Sequence, residues 1–162
     1  MDDSICLKSK DGQEFKILKM NAELSILVKN VLQDYSNNQV LDILEVEAKT
    51  LKIVVDYLNH FKGVAPIAIQ KPLRSTVMSQ ETDEWSANLV DKLSLEEIVD
   101  LSMAANYMEI HPLLDLVCAK IASLCKDKSQ EELLETFGIK EIFTEEERNK
   151  IKEENKWIED NL

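Results

Sequence analysis

The side chains best suited to chemistry are few in this chain of 162 residues. Histidine occurs twice, at His60 and His111, and cysteine three times, at Cys6, Cys118 and Cys125. A structural zinc site needs about four such ligands, usually in close pairs. No CxxC occurs, and Cys118 and Cys125 stand seven apart, which places both on one face of a helix. Buried, reduced thiols are therefore expected. His60 falls at the end of a predicted helix, where an imidazole suits the negative pole. His111 precedes Pro112 and borders the next helix. Gly12, Gly63 and Gly138 are isolated, so no glycine-rich phosphate loop exists. No Gly-x-Ser-x-Gly elbow is present either. Many carboxylates are available for acid–base work, but carboxylates on acidic helix faces are ordinarily solvated. The expectation is a protein that is not an enzyme, with no catalytic residue, no metal and no cofactor.

What stands out instead is apolar side chains in polar company. Residues 129–162 hold eleven acidic and five basic residues, half of the chain's net charge of −12. The same segment carries Phe137, Ile139, Phe143 and Trp157. Short helices are marginal in water, so large apolar groups there imply burial against something, and an acidic surface with apolar anchors suits a protein partner. The acidic balance argues against nucleic acid, which demands clustered Lys and Arg, and against an anionic membrane surface. No apolar run reaches 18 residues, and Met1–Cys6 lacks the apolar core of a secretion signal, so a cytoplasmic or nuclear protein is expected.

The elements that must position these residues follow from periodicity. Ile5 and Leu7 alternate within Ser4–Ser9, Asp11-Gly12 is a hairpin turn signal, and Phe15 and Ile17 resume the alternation in Glu14–Lys19. Leu24, Leu27, Val28, Val31 and Leu32 make a helical stripe, with Asn21 as its predicted N-cap. Ser36-Asn37-Asn38 predicts a loop, and Val40–Val46 a third strand. Leu51, Val54, Val55, Leu58 and Phe61 mark a second helix, giving β-β-α-β-α. A loop or linker is expected over 63–90, with Pro66 and Pro72 in it and helix resuming after Trp85. Ser94-x-x-Glu97 is a capping box, opening a helix with Leu95, Ile98, Val99 and Leu101. The next helix starts near Pro112, with Leu113, Leu114, Val117, Ile121, Leu124 and Cys125 as its apolar face and Leu116 beyond it. Ser129-x-x-Glu132 and Thr144-x-x-Glu147 open two tail helices, near 130–137 and 145–160.

Several separated runs carry a resemblance. Ala104-Ala105-Asn106-Tyr107-Met108-Glu109-Ile110, then Leu113-Leu114-Asp115-Leu116-Val117-Cys118, resembles the S-phase kinase-associated protein 1 family. So do Phe137-Gly138-Ile139-Lys140, Phe143-Thr144-Glu145-Glu146-Glu147 and the run from Lys152 to Trp157. The first 62 residues look like that family's BTB/POZ half, including Ser9-Lys10-Asp11-Gly12 and Asn59-His60. The resemblance implies an α/β BTB/POZ-like domain, a small three-stranded sheet with helices, over residues 1–128. It implies a C-terminal helical, F-box-binding extension over 129–162.

The resemblance also implies a function. The family's members are non-enzymatic adaptors that bridge a cullin to F-box substrate receptors in SCF-type ubiquitin ligases. By position, Asn106 and Tyr107 would face the cullin. Ile121, Phe137, Ile139, Phe143, Asn155 and Trp157 would face the F-box, though Ile121 equally suits plain core. Trp157 is six residues from Ile151 and so about 120° from the stripe that Ile151 shares with Ile158, which frees it for a second surface. The loop at Ser36–Gln39 is short for the family, Val64, Ile67 and Ile69 are unusually apolar, and Ser102 stands where Leu is usual. Glu109-Ile110-His111-Pro112 replaces a common Asp-Ile-Lys-Gly, and Ile158 a frequent Cys. These departures imply a divergent member. They leave open an alternative, a BTB/POZ-fold structural subunit of another assembly, elongin-C-like or kinetochore. They also leave open a weak homodimer of the unpartnered chain.

Overall fold

A computed structural model describes residues 3–34, 40–139 and 143–156. The chain divides into two compact units, Met1–Lys126 and Asp127–Leu162, and each is described by itself.

The first unit is organised by a three-stranded sheet in the order β2-β1-β3. β1 (Ser4–Ser9) pairs antiparallel with β2 (Glu14–Leu18) and parallel with β3 (Val40–Ile43). The two-residue period puts Ile5, Leu7 and Ser9 on the inner face of β1, beside Ile17 on β2 and Ile43 on β3. The expected third strand ends at Ile43, and Val46 is buried just beyond it. Gly12 sits in the hairpin at φ +86°, a conformation open to glycine without steric penalty.

α1 (Lys19–Ala22) is one short turn and α2 (Ile26–Asp34) follows it. Asn21, expected as an N-cap, lies inside α1 and is buried, donating from Nδ2 to Asn59 Oδ1 at 2.9 Å. Ser25 takes the capping role, its Oγ accepting from Val28 N–H at 3.2 Å. The reason is tertiary: Asn21 has a buried partner that only the fold supplies, while the buried Ser25 hydroxyl accepts from the helix and donates to Met108 O.

α3 (Ala48–Phe61) buries Leu51, Val54, Val55, Tyr57 and Leu58 in the core that also takes in the inner face of the sheet. It ends on Lys62 at φ 51° and Gly63 at φ +80°. A Cβ on Gly63 would run into the Met20 carbonyl oxygen, so the close pass of α3 over α1 requires glycine.

The stretch where a loop or linker is expected holds no regular element as far as Val77, yet it is tied to the body. Ile69 and Leu73 pack against the core, and Lys71 pairs with Asp115 at 2.8 Å. Glu81 Oε1 accepts from the N–H groups of Arg74 and Ser75, at 2.9 and 2.5 Å. A 3-10 turn (Met78–Gln80) then buries Met78, and α4 (Glu84–Asp91) starts on an Asp83 cap before residue 90 is reached. Apolar Ile69, Leu73 and Met78 explain the anchoring, since each gains by leaving water.

α5 (Leu95–Tyr107) opens with the capping box at Ser94 and Glu97, and α6 (His111–Cys125) with Pro112 in its first turn. Leu116 is buried at 2% exposure, although it was expected outside the apolar face of α6. Cys118 is exposed, and Cys6 and Cys125 are half-buried, so the thiols are free but not fully enclosed.

The second unit consists, among the described residues, of α7 (Gln130–Thr136) and α8 (Glu145–Glu154). Both begin with complete capping boxes, at Ser129 with Glu132 and Thr144 with Glu147. The carboxyls of Glu132 and Glu147 are held below their ordinary value, chiefly by the N–H groups they accept from at those caps.

Candidate functional site

The residues singled out in the sequence fall on α5, on α6 and, taken by itself, in the second unit. One face of α5 buries Ile98, Leu101, Ala104 and Ala105. The opposite side carries Val99, Met103, Asn106 and Tyr107, at i, i+4, i+7 and i+8, which a 3.6-residue repeat brings into one stripe. Val99, Met103 and Tyr107 are 47%, 67% and 36% exposed. Val99 was named only as one of the helix's apolar residues, and Met103 was not singled out at all. α5 is apolar around much of its circumference, so periodicity alone does not choose its buried side; contact with α3 and α6 does.

The end of α5 is a Schellman turn. Ile110 N–H donates to Ala105 O at 2.9 Å and Glu109 N–H to Asn106 O at 3.1 Å. Glu109 takes the left-handed position at φ 52°, where glycine is usual. Met108 and Ile110 on either side are fully buried, and Ser25 Oγ donates to Met108 O at 2.6 Å. Tyr107 is thereby held at the last helical position, ring half in water, beside an exposed Asn106. A half-exposed tyrosine on a rigid turn offers apolar area and a hydroxyl at little conformational cost.

The same stripe borders a polar hollow of about 320 Å³, to which Glu96, Asp100 and Lys10 contribute together with Met103. Glu97, one turn into α5, pairs with Lys49 at 2.8 Å. That ammonium, with the Ser94 N–H and hydroxyl, pulls its carboxyl down to about 2. The rim is acidic, which favours a partner presenting basic groups there.

The remaining residues fall in each unit separately. Ile121 is half-buried on α6 and packs against the core. In the second unit, α7 ends in another Schellman turn: Ile139 N–H donates to Leu134 O at 2.9 Å, and Gly138 N–H to Glu135 O at 3.2 Å. Gly138 sits at φ +62°. The turn fixes Phe137, half-buried, and Ile139, 50% exposed. Phe143 immediately precedes the Thr144 cap, where an apolar residue ordinarily staples against the fourth helical position. That position is Arg148, and Phe143 remains 54% exposed. Asn155 caps the end of α8, its Nδ2 donating to Ile151 O at 2.8 Å. Trp157 and Ile158 lie outside the described residues.

The residues weighed for chemistry are placed otherwise. His60 lies flat on Trp85, centroids 3.8 Å apart and planes 3° from parallel, and His111 is exposed at the start of α6. Among the described residues no group of three or more His, Cys, Asp or Glu could hold a metal ion, and no helix is long and apolar enough to cross a membrane.

The chain matches two family models, described as the Skp1 family tetramerisation domain over residues 3–63 and the Skp1 family dimerisation domain over 111–158. A protein named S-phase kinase-associated protein 1 homolog, from Tetrahymena thermophila, is 36% identical over 154 residues, covering 95% of this chain and 93% of its own. The E3 ubiquitin ligase complex SCF subunit sconC of Arthroderma otae is 37% identical over 157 residues, covering 96% and 94%. The protein of the same name from Talaromyces marneffei is 33% identical over 161 residues, covering 99% of each chain.

Proposed function

The chain belongs to the Skp1 family, with a POZ domain at its start, and on that premise we propose that it is a non-enzymatic adaptor of an SCF-type ubiquitin ligase. It would join a cullin to F-box substrate receptors. Near-full-length similarity to relatives named as SCF subunits carries this reading. The exposed stripe on α5 and, in the second unit, the exposed Ile139 and Phe143 give it a physical form.

In this reading Asn106 and Tyr107 meet the cullin, together with Val99 and Met103 on the same stripe. Phe137, Ile139 and Phe143 meet the F-box, with Ile121, Asn155 and Trp157 alongside. Residues 1–128 serve as the cullin-binding body and 129–162 as the F-box-binding extension. Exposed apolar groups on an acidic surface suit this task, because burying them on a partner supplies the main favourable free energy and charge supplies selectivity. The work is positional. Holding receptor and scaffold together raises the effective concentration of substrate beside the ubiquitin donor, without a bond being made or broken on this chain. A cytoplasmic or nuclear location fits those partners, and weak self-association of the free chain fits its exposed Ile139 and Phe143.

Affinity capture of the tagged full-length chain from its native source, read by mass spectrometry, tests the proposal. Recovery of a cullin together with F-box proteins is the expected result. Recovery of a different stable assembly, with neither, would assign the chain to another complex.

A further inference from the structure

The polar hollow beside the α5 stripe lies wholly within the first unit, between the start of α3 and one side of α5, and measures about 320 Å³. Four exposed carboxylates line it, Glu45, Glu47, Glu96 and Asp100, against a single cation, Lys10. None of the four makes a side-chain hydrogen bond or a close ion pair among the described residues, and the Lys10 ammonium pairs with none of them. Lys49, on which Glu96 and Asp100 also act, is held by Glu97 at 2.8 Å. Like charges gathered in this way repel, and a cation between them relieves the repulsion. The hollow is also lined by Thr50, a residue only 7% exposed. Its hydroxyl has no hydrogen-bond partner among the described residues, where the unpaired side-chain oxygen closed to water is that of Tyr57. The Thr50 oxygen is therefore open to the hollow that its residue lines.

We propose that this hollow is a socket for an arginine side chain of the protein that covers the α5 stripe. The proposal deepens the reading of that stripe as a partner face and rests on it. A metal ion does not fit, because among the described residues no three acidic groups converge as ligands. A guanidinium spans more widely spaced acceptors, with five N–H donors in one plane, and the Thr50 hydroxyl accepts one of them. It is less strongly hydrated than an ammonium, so it gives up less on entering. Its flat faces suit the floor, where Val46 and Ala104 are each 3% exposed, and Met103 offers apolar surface to the stem. The start of α3 opposes a cation through its dipole, but Asp11 Oδ1 occupies the Ala48 N–H at 2.8 Å and offsets it.

N-acetylarginine amide and N-acetylcitrulline amide share a shape and differ in charge, so the pair isolates the guanidinium. Each is titrated into the isotope-labelled full chain and followed by amide NMR. The arginine probe is expected to shift residues 45–50 and 96–104, binding about fivefold to tenfold more tightly than citrulline. Glu96→Gln with Asp100→Gln is expected to reduce it to the affinity of citrulline. Thr50→Val, which keeps the shape and removes the hydroxyl, is expected to weaken it about threefold. Equal affinity for the two probes overturns the proposal, as does unchanged affinity in either variant. Shifts of equal size at the acidic first turns of α7 and α8 would mean general attraction and overturn it too. Should Thr50→Val not fold, the probe ratio and the paired Gln variant still decide. A cullin from the native source, added next, is expected to displace the arginine probe, and a cullin that binds with the probe still in place overturns the proposal. Arginine held here by a chain that captures no cullin overturns the cullin reading and not the socket.

Discussion

Asp11 Oδ1 accepts the Ala48 N–H at 2.8 Å, so a residue of the first hairpin caps a helix 37 positions later. Glu47, which precedes α3, makes no side-chain cap of its own. The first turn of α3 therefore depends on the hairpin being in place, and one carboxylate adds a hydrogen-bonded link to the apolar packing between the sheet and its covering helix. The Ser9 hydroxyl most strongly, and the Ala48 N–H with it, hold that carboxyl below its ordinary value against the opposing effect of desolvation.

Asp11→Ala is expected to lower the melting temperature at neutral pH. A folded-state pKa below the unfolded one means that the ionised carboxyl stabilises the fold above its ordinary value, about 4, and loses this as pH falls through the depressed value. The gap between the melting curves of the native chain and Asp11→Ala should close between about pH 4 and the onset of acid unfolding. A gap that stays constant over that range would assign the effect to something other than ionisation.

Met78→Ala is expected to destabilise the protein by about 2–4 kcal/mol, as removal of a fully buried Met does. Denaturant titration measures it. A loss under about 0.5 kcal/mol, ordinary for surface positions, would show that the stretch around the 3-10 turn does not contribute to the core.

The two Schellman turns make opposite predictions. Glu109 occupies a left-handed position that glycine takes freely, so Glu109→Gly should stabilise the first unit by about 0.5–1 kcal/mol. Gly138→Ala should weaken α7 by about 1 kcal/mol through the same conformational term. Chemical denaturation reads the first, and backbone amide shifts of residues 130–139 read the second. Equal signs would mean that the turn geometry is not what sets either residue's cost.

Replacing Asn106 and Tyr107 together by Ala should reduce cullin capture at least tenfold and leave F-box binding unchanged. Val99→Asp and Met103→Asp, further along the stripe, should act in the same direction. Calorimetry with each partner separately distinguishes the outcomes. Parallel loss of both activities would instead indicate damage to the α5–α6 packing.

Phe143→Ala should weaken F-box binding by roughly 1–2 kcal/mol, because a ring left 54% exposed has apolar area to bury on a partner. Trp157→Ala should weaken it by roughly 2 kcal/mol or more. Neither change is expected to move the melting curve of the first unit. Unchanged affinity in either folded variant would remove that residue from the interface.

Local chemistry was legible in the sequence. The three capping boxes, the Asp11-Gly12 hairpin and the Pro112 helix start all appear where their residues predict, because each is settled by hydrogen bonds within a few positions. Asn106 and Tyr107 were assigned by resemblance, since nothing in composition distinguishes a partner-facing Tyr from one that closes a helix, whereas Phe137, Ile139, Phe143 and Trp157 already stood out as apolar groups in an acidic segment.

What the tertiary structure alone decided is which apolar groups are enclosed. Leu116 is buried and Val99 and Met103 are not, because α5 and α6 carry more apolar surface than one neighbour covers, and the choice of face belongs to the contact. Asn21 lost its expected cap to Asn59 for the same reason, as a buried amide takes the partner that folding brings within reach. The cap on α3 likewise arises from residues far apart in the chain. Periodicity and capping act over one or two helical turns, so the sequence by itself determined the elements, while the pairing of distant surfaces determined the site.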